Sequence, residues 1–429
     1  MHIPASREQA RQLDSRDLLA RFRKRFYRPS GQIYLGGTSL GLLSREAEQA
    51  LLRVLNEWKT RAIGGWLEGE SPWFSMADAL AARVAKLVGA QPDEVTIANA
   101  TTINLHQLLA TLYRPQFARP RALIDALSFP SDRYALRSHL RLRGLDPDAN
   151  LSVVEANGAG LLEESRIEEA LADPSVQLAV LPSVVYTSGQ LLDASRLCRA
   201  ARSHGVVIGL DLSHSIGLLP HALDEWDADF AFWGHHKYIN AGPGAISGLY
   251  LNRRNFGSDD AVEAGLAGCW SGRKERMVDM MDEFTRGGAA ALQIGIPPVL
   301  SMAPLEGALG AVEEAGLNRV RTKSLALTEF LREAIELELP NAGFTFATPL
   351  EPERRGGHLA LLHGAAGGIC QSLRRSGVVP DFRPPDLIRL APVPLYTSFT
   401  ECWDAVQILK RIMSYRSYEQ TPAVRELVT

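Results

Sequence analysis

Between residues 93 and 251 the chain alternates short apolar runs with helix-period patterns, and few architectures tolerate that alternation. The candidate strands cover residues 94–98, 122–125, 151–154, 178–181, 206–210, 230–233 and 248–251. Most are apolar at consecutive positions rather than at every second one, which is what burial on both faces demands. Residues 165–172 and 192–203 carry helical periodicity between strands. The pattern predicts an α/β fold with one seven-stranded, mostly parallel sheet covered by helices. Ligands in such sheets gather beyond the carboxyl ends of the strands.

Two candidate strands end in chemically suggestive residues. One run reads Asp229-Phe-Ala-Phe-Trp-Gly-His-His-Lys-Tyr-Ile-Asn-Ala-Gly-Pro-Gly244, an apolar strand followed by Lys237 and a glycine-rich loop. A lysine amine bonds an aldehyde only when partly deprotonated, and a desolvated pocket near other cations supplies that. The other run, Val206-Val-Ile-Gly-Leu-Asp-Leu-Ser-His214, places Asp211 at a strand end 26 residues before Lys237. Alone, the lysine reads as a solvated loop residue and the aspartate as a turn or cap. Together they match what pyridoxal phosphate requires: a lysine for its aldehyde carbon and a carboxylate that keeps its pyridine nitrogen protonated. Gly242 and Gly244 are expected to permit close backbone approach there.

At 429 residues the chain exceeds one hydrophobic core, so two lobes are expected. The reading divides it into an N-terminal segment (1–45) packed on the small domain, a large cofactor-binding domain (46–300) and a small α+β domain (301–429). A long helical stretch over 305–339 would hinge into the small domain, with strands near 358–363, 377–380 and 387–390. A net charge of −3 gives no electrostatic case for nucleic acid or an anionic membrane. The chain's start lacks the apolar core of a secretion signal, and no apolar run nears the ~20 residues of a spanning helix, so a cytoplasmic protein acting on a small molecule is expected. The four cysteines (198, 269, 370, 402) are far apart, with neither disulfide nor metal-ligand spacing, so no metal is expected.

Asn99-Ala-Thr-Thr-Ile-Asn-Leu-His106 follows a strand and opens a helix, so amides and hydroxyls at Thr101 and Thr102 can face an anion. Phe129-Pro-Ser-Asp132 follows the next strand and offers an aromatic face with a carboxylate. The order of these motifs resembles kynureninase, a pyridoxal-phosphate enzyme of the aspartate-aminotransferase-like (type I) fold, from about Tyr34 to Phe399. Gly37-Thr-Ser-Leu-Gly41, the Lys237 loop, Pro297-Pro298 and Ile388-Arg-Leu-Ala-Pro-Val-Pro-Leu-Tyr396 complete the match.

The resemblance implies that Lys237 holds the cofactor covalently, Asp211 its pyridine nitrogen and Phe129 its ring face. Asp132 and His214 would support the ring, Thr101 and Thr102 the phosphate. Arg389 would clamp the substrate carboxylate with its planar fork, in a substrate pocket that includes Ser39. The implied reaction is hydrolysis of the Cβ–Cγ bond of L-kynurenine or 3-hydroxykynurenine to alanine and an anthranilate. Type I enzymes build each site from two subunits, so a homodimer is implied.

Five positions depart from the family pattern or complete the pocket. His236 stands where the family has a tyrosine that serves phosphate and proton transfer; a histidine keeps a donor and is expected to titrate near neutrality. The family's tryptophan falls on Cys269 or Trp270, of which Trp270 is preferred, as a cofactor-binding residue. Ile296 replaces a polar residue before the two prolines; with Val185 and Trp66 it would line an aryl pocket favouring an unhydroxylated ring. The rival readings are a desulfurase or lyase using Cys370, an aminotransferase, and a cofactor-binding regulator without turnover.

Overall fold

The computed structural model describes residues 5–274 and 286–420. Met1–Pro4, on which the reading of the chain's start partly rests, lie outside the described residues.

All seven candidate strands pair in one sheet, labelled here β1 (Val95–Ala98), β2 (Arg121–Asp125), β3 (Leu151–Val154), β4 (Val176–Pro182), β5 (Val207–Asp211), β6 (Phe230–Gly234) and β7 (Ser247–Leu251). Their spatial order is β1-β7-β6-β5-β4-β2-β3, and β7 alone runs against its neighbours. Successive residues of a strand point to opposite faces. Accordingly Leu178, Val180, Phe230 and Phe232 bury on one side of the sheet. Ala179, Leu181, Ala231 and Trp233 bury on the other. Both faces are apolar because both are covered, which is why these strands lack alternation in the sequence. The carboxyl ends of β5 and β6 are adjacent, so Asp211 and the segment after Gly234 are neighbours by topology.

The expected single helix over 305–339 is two helices, Val299–Ala315 and Leu317–Glu338, separated by Gly316 at φ 78°. An L side chain is strained at that angle, so the glycine marks the break. The second helix belongs to the smaller lobe, where Leu327, Phe330, Leu331 and Ile335 pack with Leu359, Leu361, Ile388 and Phe399. Its antiparallel sheet has the order Thr345–Phe346, Leu359–Leu362, Leu387–Leu390, Asp381–Arg383.

The N-terminal segment touches both lobes. Asp14 accepts bonds from the amides of Phe399 (2.8 Å) and Thr400 (3.0 Å), satisfying the otherwise orphaned start of the helix Phe399–Ser414. Ile33–Tyr34 pairs in parallel with Val378–Val379. Leu19, Phe22 and Phe26, by contrast, join the core of the large lobe.

Candidate active site

The site lies in the cleft between the carboxyl edge of the large sheet and the small sheet. Lys237 follows β6 in a tight turn closed by Asn240 N–H to its carbonyl (2.9 Å), with Asn240 at φ 63°. The loop Gly37–Gly41 lies directly on this turn: the amide of Gly41 donates to the His236 carbonyl (2.8 Å), and a Cβ on Gly41 would come within 2.3 Å of the Lys237 carbonyl oxygen. Close approach is therefore made by Gly41. Gly242 and Gly244 were expected to serve it, but a Cβ on either meets open space; their φ values of 91° and 70° are what require glycine.

Lys237 Nζ sits 2.7 Å from Nε2 of His214, which β5 delivers three residues after Asp211. Burial lowers the Lys237 amine from the ordinary 10.5 to about 8; Asp211 opposes this, while Arg389 and Arg383 add to it. Burial, then the Lys237 charge, holds His214 neutral far below the usual imidazole range. Asp211 accepts from the Ser213 amide on Oδ1 (2.8 Å). Burial raises its carboxyl and Lys237 pulls it back. Asp132, in the first turn of Pro130–Leu142, is buried and raised well above the carboxylate range by desolvation and by Asp211. Phe129 caps the same helix with its ring 39% exposed, packed edge-on against Tyr186 at 5.3 Å.

The helix Thr101–Leu112 has no side-chain cap at its N-terminus. Asn99, at φ 46°, turns the chain from β1 into it, and the Thr101 hydroxyl lies 2.9 Å from that of Ser247. His236 shares this end of the site: a Cβ on Gly234 would be 2.7 Å from its ring and 2.9 Å from Thr101 Oγ1. The expected titration of His236 near neutrality is corrected, because burial and then Lys237 hold it at about 4. At neutral pH it is an uncharged donor and acceptor.

Arg389 is fully buried on the strand Leu387–Leu390. Its Nε donates to Asp381 (2.6 Å) and Nη1 to the Tyr186 carbonyl (2.6 Å); Nη2 bonds Asp381 and Ser39 Oγ (3.2 Å). Ser39 Oγ also accepts from Arg383 Nη2 (3.1 Å). The sequence reading missed Asp381, Arg383, Tyr186 and His358. His358 is buried with its ring 6.2 Å from that of His214. The spacing Asp381-Phe-Arg383, two charges on one face of a short strand beside Arg389, was the available signal.

Four assignments are not met among the described residues of the single chain. The rings of Trp66 and Trp270 pack on each other at 6.1 Å, and on Trp73 and Phe74 at 5.8 Å, rather than on Phe129, Tyr186 or His214. Ile296 is 53% exposed in the turn before Pro297. Val185 is core, fully buried with the residues beneath β5.

These residues fit pyridoxal phosphate. An uncapped helix N-terminus with hydroxyls suits a phosphate. A lysine at about 8 suits an aldehyde, and the buried Asp211 carboxylate at the end of the neighbouring strand suits a pyridinium N–H. The Nδ1 of His214 is buried without a partner among the described residues. Among the described residues, no group of three or more His, Cys, Asp or Glu could hold a metal ion.

Comparison with known proteins bears on the same residues. The aminotransferase class-V family profile matches residues 71–361, and the kynureninase C-terminal domain profile matches residues 320–409. The chain is 47% identical to the kynureninase of Geobacillus thermodenitrificans over 422 residues, 98% of this chain and 97% of that one. It is 48% identical to that of Bacillus anthracis over the same shares.

The chain belongs to the kynureninase family. Solved structures share the fold at lower identity. A cysteine desulfurase from Thermococcus onnurineus superposes with a TM-score of 0.76 at 16% identity, over 92% of this chain and 98% of that one. One from Escherichia coli gives 0.72 at 17%, over 94% and 99%. The cysteine that a desulfurase reading would use is not available here: Cys370 is buried in the small-lobe core, its thiol pushed up to about 12 by desolvation.

Proposed function

We propose that this kynureninase-family chain, with pyridoxal phosphate as cofactor, hydrolyses the Cβ–Cγ bond of L-kynurenine or a ring-substituted kynurenine. One water is consumed, and the products are L-alanine and the corresponding anthranilate. The observation that carries the reading is the Lys237 amine, lowered to about 8 and held 2.7 Å from His214 beside the end of the strand that bears Asp211.

When bound, pyridoxal phosphate supplies an electron sink for charge left on Cα and Cβ. The remaining work falls to the chain's own side chains. Asp211 would keep a proton on the ring nitrogen. Thr101, Thr102 and the helix N-terminus hold the phosphate, with uncharged His236 as a further donor. Phe129 covers the ring face, and Asp132 and His214 fix its edge.

Lys237 removes and returns the Cα proton; its value near 8 lies close to working pH, where a general base is most effective. His236, at about 4, is a poor proton reservoir at neutrality, so it donates hydrogen bonds and Lys237 carries the proton traffic. Arg389 and Ser39 receive the α-carboxylate. Water then adds to the γ-carbonyl, and bond breakage leaves the anthranilate carboxyl on the departing half.

We further infer a cytoplasmic homodimer. Leu52, Leu55 and Trp58 form an exposed stripe on the helix Arg45–Arg61, continued by Ile63, Leu67 and Leu300. A lone soluble chain seldom leaves such a surface to water. Trp66 and Ile296 lie near this surface in sequence and Trp270 packs on Trp66, and a partner's site is where their assigned roles would be met. No helix among the described residues is long and apolar enough to cross a membrane.

The test is to incubate purified holoenzyme with kynurenine and with 3-hydroxykynurenine while following anthranilate-type fluorescence and alanine. Absence of both products would end the reading. Sulfide from cysteine, or amino-group transfer from kynurenine to pyruvate, would replace it.

A further inference from the structure

The α-carboxylate end of the site is more constrained than one arginine implies. Asp381 and Arg389 are directly opposite each other on antiparallel strands, so sheet register fixes their pairing. Asp381 Oδ2 accepts from Arg389 Nε (2.6 Å) and Nη2 and from Arg383 Nε (3.2 Å), and Asp381 is itself buried. The Nε–Nη2 edge of Arg389, the edge that normally forks onto a carboxylate, is therefore taken. Nη2 spends its second proton on Ser39 and Nη1 spends one on the Tyr186 carbonyl. Among the described residues, one of its five N–H donors, on Nη1, has no acceptor.

Ser39 is just as limited. Its oxygen accepts from Arg383 Nη2 (3.1 Å) and Arg389 Nη2 (3.2 Å), which uses both lone pairs. Its own proton has no acceptor among the described residues. A hydroxyl polarised by two guanidiniums, with only its proton left to offer, is a donor aimed at an anion.

We propose that Asp381 is a positioning residue for the substrate α-carboxylate, locking the side edge of Arg389 so that the carboxylate is received by the Nη1 end together with the hydroxyl of Ser39. Asp381 does not give way when substrate arrives. Displacing it would strand a buried carboxylate between two strands whose register puts it there. Its charge also keeps Arg383 and Arg389 from repelling each other apart, and the Tyr186 ring, 5.9 and 6.0 Å from the two guanidiniums, backs both. The inference deepens the functional reading and rests on its premise that the substrate is an α-amino acid.

The experiment measures calorimetric binding of L-alanine and of L-alaninamide to holoenzyme, for the wild type, Asp381→Asn and Ser39→Ala. Loss of a charge-assisted arrangement should weaken L-alanine about tenfold or more in Asp381→Asn and about three- to tenfold in Ser39→Ala. L-alaninamide, which lacks the carboxylate, should change by less than about twofold. In turnover the same variants should raise KM more than they lower kcat. Asp381→Asn binding L-alanine as tightly as the wild type, or more tightly, overturns the proposal, the latter by showing that Asp381 competes with substrate. If Asp381→Asn does not fold, unchanged alanine affinity in Ser39→Ala overturns it alone. Alanine binding requires no carbon–carbon cleavage, so a wild type that binds alanine yet leaves kynurenine intact would sink the proposed reaction and leave this arrangement standing.

Discussion

The Lys237 amine should be a free base far more often than an ordinary lysine, and removing Asp211 should make it freer still. Desolvation takes it from 10.5 to about 8. At pH 7 about one molecule in eleven then carries an unprotonated amine, against about one in 2,500 for an exposed lysine at ~10.4, a ratio of about 200. Asp211 is the largest opposing influence, since its charge favours the ammonium form. Asp211→Asn should move the titration below 8 and speed amine modification at pH 7, by at most about tenfold because the free fraction cannot exceed one. The assay is brief acylation of cofactor-free protein across pH 6–11, with modification at Lys237 and at exposed Lys59 quantified by peptide mass spectrometry. The midpoint of the pH curve is the readout, because reagent access differs between the two sites. A Lys237 midpoint above 10, or slower modification in Asp211→Asn, would refute the electrostatic account of the site.

The same shift has a stability counterpart: the folded chain releases the Lys237 proton near 8 and the unfolded chain near 10.5, so stability rises with pH across that window. Cofactor-free wild type should gain up to about 3 kcal/mol relative to Lys237→Met between pH 7 and 10.5, measured by urea unfolding. Lys237→Ala should abolish both turnover and the visible absorption of bound cofactor. Arg389→Ala should leave that absorption intact, eliminate amino-acid binding and cost about 3–5 kcal/mol in unfolding experiments, because it strips a buried carboxylate of its main partner. His236→Phe should weaken cofactor retention without moving any inflection of the pH–rate profile between 6 and 8, since His236 is uncharged throughout that range.

What could be read from the sequence was what local pattern encodes. β1 to β7 announced themselves because burial on both faces writes uninterrupted apolar runs, and Asp211 and Lys237 were visible because each ends such a run. The break at Gly316 was overlooked although a glycine at that point is an ordinary C-terminal signal; flanking helical periodicity on both sides masked it. Asp381 and Arg383 on a three-residue strand, and His358 just before another short strand, carried little signal, because their meaning comes from a register partner or from the opposite lobe. Trp66, Trp270 and Ile296 were assigned by likeness to a site that one chain does not complete by itself. Sequence neighbours cannot say whether a pocket is closed by its own chain or by another copy.

The account's central claim is that Lys237 and Asp211 grip one pyridine ring from opposite ends. A crystal structure of the holoenzyme tests it most directly. Continuous density from Lys237 Nζ to the cofactor, with an Asp211 carboxylate oxygen within about 3 Å of the ring nitrogen, is the predicted result. Cofactor bonded at another lysine, or a ring nitrogen facing away from Asp211, would contradict it.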